Sequence, residues 1–240
     1  MEVVSSRLTS HSQLQKIETL SDPGFEISEE VISANECEAL VKGMAPDPAG
    51  RHRAGARHLM SLPAVKSLAQ SEALLAIARR WVGPGAVPYR ATLFDKTGFR
   101  NWLVVWHQDT ALPLAAKFDS AEWGPWSIKE GVLYAHAPAW ALGRIVALRV
   151  HLDASTTENG PLRIIPGSDA EGVLTDEAAF RAGRERTPVD CLVGQGGVMA
   201  MRPLLLHSSS KSAGDAPRRV LHLEYAASLD LAPGIRLAVA

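Results

Sequence analysis

Cysteine is nearly missing from this 240-residue chain, with only Cys37 and Cys191. Two residues so far apart exclude a disulfide framework. Cys37 falls in an amphipathic helical pattern, where a small buried hydrophobe is the plain reading. No apolar run approaches the roughly 18 residues of a membrane span. The opening MEVVSSRLTSHSQLQKIETL has no basic stretch leading into an apolar one, so no signal peptide is expected. A block of one charge is missing as well. The 25 Lys and Arg nearly balance the 26 Asp and Glu, for a net charge of −1. That balance offers neither nucleic acid nor an anionic membrane an electrostatic reason to bind. There is no internal repeat and no low-complexity tract. What remains is an ordinary globular composition, 46% hydrophobic, long enough for one domain with a substantial core. A cytoplasmic location is expected; the oligomeric state is open.

Residues 1–24 are polar and weakly periodic, and read as a loosely held arm. Residues 25–240 read as one domain, helical over 25–85 and mainly β over 86–240. In SANECEALVKGM, Ser33 and Glu36 form an S-x-x-E capping box, and Ala34, Cys37, Leu40, Val41 and Met44 recur at helical spacing. MAPDPAGRHRAGARH (44–58) reads as a loop. LPAVKSLAQ and SEALLAIARRWVG read as helices, the second stopped by Gly83-Pro84-Gly85. VPYRATLFDK and NWLVVWHQD then bring β-branched and aromatic residues in short runs. GRIVALRVHLD (143–153) is a strand, and a turn through Asn159-Gly160-Pro161 leads to another. VDCLVGQGGVMAMRPLLLHSSS holds two more around a Gly-rich turn, and RRVLHLEYAAS is the last. Helices first and strands afterwards predict a sandwich or barrel with helices packed outside.

The chemistry starts at NWLVVWHQDT, read as a buried strand ending in polar groups. His107 and Asp109 are two residues apart, so on a strand they share a face and can converge on one metal ion. The alternative is a strand end entering a polar loop, with both groups bonded to backbone. Asn101 falls on the same face by alternation, which makes it a candidate cofactor-binding residue. His207 also ends an apolar run, MRPLLL, and strands distant in sequence become neighbours in a jelly roll. His11, His52 and His58 lie in arm or loop segments, and His136, His151 and His222 lack that setting. Two His and one Asp make the facial triad of non-haem iron sites. Arg218 and Arg219 open the last strand, eleven and twelve residues after His207. An Arg there could hold a carboxylate with its planar fork, or simply face solvent at a loop edge.

These stretches resemble the phytanoyl-CoA dioxygenase family of Fe(II)/2-oxoglutarate oxygenases. The resemblance is carried by FDKTGFRNWLVVWHQD (94–109), ALRVHLDASTTENGPLRIIPGSD (147–169) and GGVMAMRPLLLHSSS with PRRVLHLEY (196–225). It implies a double-stranded β-helix, the cupin-like jelly roll, with flanking helices. It implies Fe(II) held by His107, Asp109 and His207, and 2-oxoglutarate held by Arg218 with the Ser209 hydroxyl; Arg219 replaces Arg218 if the register shifts by one. It implies use of O2 to hydroxylate an unactivated C–H of a small organic molecule, releasing succinate and CO2. One position departs: the family's Pro-Gly-Ser-His turn ends here in Asp169, read either as structural or as a neighbour of the ligands that alters the polarity of the pocket without touching metal binding. Asp109 is intact, which disfavours a halogenase. The alternative is a non-oxidative cupin-type isomerase, hydrolase or metal binder with the same triad. Arg218 separates the two, because that role needs a dicarboxylate.

Five of the six tryptophans fall between 102 and 140, and the connection 110–142 is too long for a turn, so it reads as an aromatic lid. Trp106, Trp126, Tyr134 and Arg149 are the candidate substrate residues, with Lys96 behind them. The plainer reading of the aromatics is packing of the connection onto the sandwich, and for Arg149 and Lys96 an ordinary salt bridge.

Overall fold

A computed structural model describes residues 22–44, 55–96 and 101–240. The expected arm up to residue 21 and most of the 44–58 loop, with His11 and His52, lie outside them. Three helices come early: α1 (Ala34–Gly43), α2 (Pro63–Ala69) and α3 (Glu72–Val82). The capping box forms as the sequence requires. The Glu36 N–H donates to the Ser33 hydroxyl at 3.2 Å, and the Ser33 N–H donates to the Glu36 carboxylate at 2.8 Å. Pro63 opens α2, where its missing N–H would have had no helical partner.

The strands in chain order begin with β1 (Phe25–Ser28), β2 (Gly55–Ala56), β3 (Val87–Lys96), β4 (Val104–His107) and β5 (Ala111–Leu114). Next come β6 (Trp126–Lys129), β7 (Val132–His136), β8 (Ile145–His151), β9 (Leu162–Ile164) and β10 (Val189–Cys191). The last are β11 (Val198–Met201), β12 (His207–Ser209), β13 (Arg218–Ala226), β14 (Asp230–Ala232) and β15 (Ile235–Arg236). A six-stranded sheet has the order β1-β11-β8-β13-β3-β2, and a four-stranded sheet has the order β10-β9-β12-β4. All their pairs are antiparallel. Between β3 and β13 the chain passes back and forth from one sheet to the other. That winding is the double-stranded β-helix, a mainly β jelly roll with helices outside.

The two faces of the larger sheet differ. Val146, Leu148 and Val150 of β8, with Leu221, Leu223 and Tyr225 of β13, pack against Cys37, Val65, Leu74 and Ile77 of the helices. Each such buried aliphatic contributes about 1.5–3 kcal/mol. The Tyr225 hydroxyl donates to the Ala69 carbonyl at 2.8 Å and ties the layers together. The inner face is apolar toward β9 to β11, where Ile164, Cys191, Met199 and Met201 meet. Toward β3 it becomes a polar ladder. Lys96 stands opposite Arg218; Thr92, His222 and Arg149 form one row across three strands; Arg90 stands opposite Glu224.

Three expectations need correction. NWLVVWHQD is not a long buried strand: β4 is four residues at the edge of its sheet, and Leu103 and Val105 are 60% and 63% exposed. Connection 110–142 is no plain loop. It forms the sheet β5-β7-β6 and the turn of helix α4 (Ala139–Leu142), with a core including Leu112, Trp123, Ala135 and Leu142. Helix α5 (Asp176–Glu185), capped by the Thr175 hydroxyl accepting from the Ala178 N–H, was not foreseen.

Candidate metal centre

His107 ends β4 and His207 opens β12, and the two are direct cross-strand partners. Their rings lie 4.2 Å apart. Asp109 sits just past the strand, with its N–H donating to the Pro203 carbonyl at 2.9 Å. Each imidazole is oriented by its own backbone: Nδ1 of His107 lies 2.9 Å from the Val105 carbonyl, and Nδ1 of His207 lies 2.8 Å from that of Leu205. With Nδ1 as the donor, Nε2 keeps a free lone pair, as in metal-ligating imidazoles. These Nε2 atoms stand 3.9 Å and 3.6 Å from the two Asp109 oxygens. One ligand atom from each residue falls within 4.8 Å of the others. Two imidazoles and one carboxylate at that spacing fit one ion, and the donor set is that of a facial triad.

The electrostatics favour the ligating forms. Burial, then the neighbouring His107, push His207 down to about 3, so its lone pair stays free. Burial alone would raise Asp109, but His207, His222, His107 and Arg90 outweigh it and hold the carboxylate well below its ordinary range. Deprotonated donors are what a metal needs.

The cavity at these donors runs past Phe94, Trp102, Val104 and Leu162 to Ser209, Arg149 and Arg218. Arg218 is buried, its Nε donating to the Asn159 carbonyl at 3.2 Å and Nη2 to the Ser209 hydroxyl at 3.3 Å. Lys96 is fully buried, and its Nζ donates to the Ser209 hydroxyl at 2.9 Å and the Ser210 carbonyl at 2.5 Å. Ser209 passes its own proton to the Gly160 carbonyl at 2.9 Å. Gly160 has φ +67°, and a Cβ there would lie 2.4 Å from the Ser210 carbonyl oxygen, so only glycine brings this turn so close. Burial, with Arg218 and Arg149 nearby, lowers Lys96 to about 8; burial and Arg149 pull Arg218 below the guanidinium range. Among the described residues neither group has a counter-anion. Arg219, by contrast, points out and holds Asp153 through two 2.7 Å bonds.

The other sequence candidates scatter. Asn101 does not face the cavity, because β4 starts three residues later; its amide is spent on the backbone of Ser212 through two 2.7 Å bonds. Trp106 lies on the opposite face, packed with Ala179 and Ala182 of α5. Trp126 is partly buried and packs against the small sheet's core, its ring 5.3 Å from Phe118. Tyr134 is buried with its hydroxyl 3.0 Å from Nε2 of His58, behind Arg90. Arg149 lines the cavity and Lys96 borders it at Ser209, and neither makes a salt bridge among the described residues. Asp169 pairs with Arg202 at 3.3 Å, away from the donors, so its exchange for His leaves them untouched. Three groups were passed over: Phe94, Gln108 and Glu224. Gln108 could have been suspected from its place between two donors.

A jelly roll with two His and one Asp converging on one cavity is the frame of a metal-binding β-helix protein. The model of the phytanoyl-CoA dioxygenase (PhyH) family matches residues 21–220, and the chain belongs to that family. A curated relative, L-proline trans-4-hydroxylase of Streptomyces griseoviridis, is 27% identical over 186 residues, 66% of this chain and 61% of the relative. The chain thus spans less than two thirds of that relative's length. HygX from Streptomyces hygroscopicus, solved with nickel and 2-oxoglutarate, is similar at a TM-score of 0.60 and 19% identity, covering 90% of this chain and 86% of HygX. EctD from S. alaskensis, solved with 2-oxoglutarate and 5-hydroxyectoine, has a TM-score of 0.64 at 21% identity, covering 94% and 78%. At these identities the likeness concerns the fold. No helix among the described residues is long and apolar enough to cross a membrane.

Proposed function

We propose that the chain is an Fe(II)- and 2-oxoglutarate-dependent dioxygenase that hydroxylates a C–H bond of a small molecule. One observation carries this reading: the His107, Asp109 and His207 donors and the unpaired, buried Arg218 share one cavity. Family membership and the relative named as a proline hydroxylase support it. Nε2 of each histidine and a carboxylate oxygen of Asp109 would hold the iron, with the far side left open. The Arg218 fork would take the distal carboxylate of 2-oxoglutarate, with Lys96 adding charge. Ser209 joins them by turning its proton from Gly160 toward the co-substrate. When bound, iron, 2-oxoglutarate and O2 supply the oxidation that yields succinate and CO2. The chain's own part is to orient the ligands, supply countercharge and line a dry cavity with Phe94, Trp102 and Leu162. Residues 25–240 act as one catalytic unit in this reading. A cytoplasmic location belongs to it, and the two buried free thiols suit a reducing compartment.

The test is succinate release by the purified protein with Fe(II), 2-oxoglutarate and a broad substrate panel. His207→Ala should abolish metal binding, and Arg218→Ala should weaken 2-oxoglutarate binding while the metal stays. No consumption of 2-oxoglutarate, with iron binding unchanged in His207→Ala, would overturn the proposal. Metal binding without any 2-oxoglutarate affinity would instead mark a non-oxidative metal protein.

A further inference from the structure

Four cationic side chains stand on the inner face of the large sheet: Arg90, Lys96, Arg149 and Arg218. Arg90 has its acid, with Nη1 3.2 Å from Oε1 of Glu224. Glu224 is otherwise taken by the Tyr89 hydroxyl at 2.7 Å and by His222 at 3.3 Å. Lys96 and Arg218 converge on Ser209, where one carboxylate of a dicarboxylate would sit. Arg149 remains. It is 5% exposed, lines the cavity, and has no carboxylate of the described residues within ion-pair distance. Its Nη1 donates to Nδ1 of His222 at 3.2 Å, and its Nε has no partner. Thr92, in the same row, also has an unpartnered hydroxyl.

A buried guanidinium without an anion is costly. Among the described residues Asp109 is the one acid lining the cavity, and the metal donors claim it. On the row-by-row register, Arg149 stands two rows from Arg218, about 13 Å along the strand direction at ~3.3 Å per residue. Arg218 is anchored at Ser209 and Arg149 at His222, so the two forks are held at different places along the one cavity. The co-substrate's outer carboxylate goes to Arg218, and its inner one has the metal as countercharge. We propose that Arg149 is a second carboxylate-binding residue of this cavity, and that the anion it takes is the carboxylate of the substrate. Phe94, whose ring lies 5.4 Å from the Arg149 guanidinium, and Leu162 give the wall beside it an apolar surface. The substrate class is then a small carboxylic or amino acid with a mostly hydrocarbon body. This inference rests on the dioxygenase reading above.

The experiment pairs small carboxylic and amino acids with their primary amides. Binding is followed by tryptophan fluorescence in protein loaded with nickel(II) and 2-oxoglutarate, and turnover by succinate release with Fe(II). Acids should bind and turn over, and their amides should not. Arg149→Met should cut kcat/KM for the best acid by roughly 30–100-fold, as expected for a lost charge-assisted pair. The KM for 2-oxoglutarate should stay within about twofold, and Arg149→Lys should recover part of the loss. Amides that bind as well as acids, or no binding by any acid of the panel, would sink the inference. So would an Arg149→Met variant that weakens 2-oxoglutarate as Arg218→Ala does, because Arg149 would then serve the co-substrate. Failure of the dioxygenase reading shows separately, as protein that binds no 2-oxoglutarate.

Discussion

Gln108 stands between two donors. Its Nε2 donates to the carbonyls of Gly172 at 2.9 Å and Leu204 at 2.7 Å, and its Oε1 accepts from the Leu174 N–H at 2.8 Å. Three bonds thus pin the middle of the H-x-D turn to the segment after β9 and to the approach of β12. Outer partners of this kind set how well the donors are pre-placed. Gln108→Ala should leave a folded protein whose metal affinity is about 10–100-fold weaker, measured by metal titration of the apoprotein. Wild-type affinity in that variant would mean the turn holds without it. The same scale explains why Arg218 and not Arg219 faces the cavity. Adjacent residues on a strand point to opposite faces, and Asp153 holds Arg219 on the outer one.

At the scale of the element, β4 is an edge strand of four residues, and α5 supplies its backing. The Trp106 ring lies against α5 so closely that a Cβ on Gly183 would come within 2.2 Å of it. Gly183→Ala should gain about 1 kcal/mol of helix propensity. The collision should cost about 1–3 kcal/mol, because Trp106 is also held by the Arg163 guanidinium 5.7 Å from its ring. The collision should win, lowering the melting temperature and, through the adjacent His107, weakening metal binding. Thermal unfolding and metal titration check both; an unchanged melting temperature would show that the ring yields freely.

Across the whole molecule, the jelly roll buries titratable groups that the unfolded chain exposes. Burial, with Arg149 and Arg218 nearby, holds His151 well below its ordinary 6.5, and His207 is pushed to about 3. Below about pH 6.5 the unfolded chain takes protons on these residues that the folded chain refuses, so stability falls as pH drops. Asp109 and Glu224, both lowered, add to the loss only below about pH 4. Metal-free protein should therefore melt lower at pH 5 than at pH 7.5, with a shallower dependence in His151→Phe. Calorimetry across that range decides it, and a flat profile would contradict the burial argument.

The local patterns were legible because their causes are local. The α1 cap follows from Ser33 and Glu36, the strand runs from β-branched spacing, and the H-x-D pair from its place at a strand end. His207 and Arg218 could be named through the family resemblance, which orders motifs along the chain. Which residues share the cavity depended on strand order and on neighbours far off in sequence. Alternation put Asn101 with His107, but β4 begins only at Val104, and Asn101 instead ties down Ser212. The tryptophans of 110–142 look like a lid in sequence, yet Trp123 is buried in the core of a small sheet that no short-range pattern announces, Trp126 packs against that core, and Trp140 is 39% exposed. Arg149 could not be told from a salt-bridged arginine until β13 was seen between β3 and β8, with Glu224 already given to Arg90. The sequence by itself determined the three early helices, most of the core strands and the donor types, but not α5. Only the tertiary structure decided which charges are left without a partner, because pairing is set by contacts between strands and not by order along the chain.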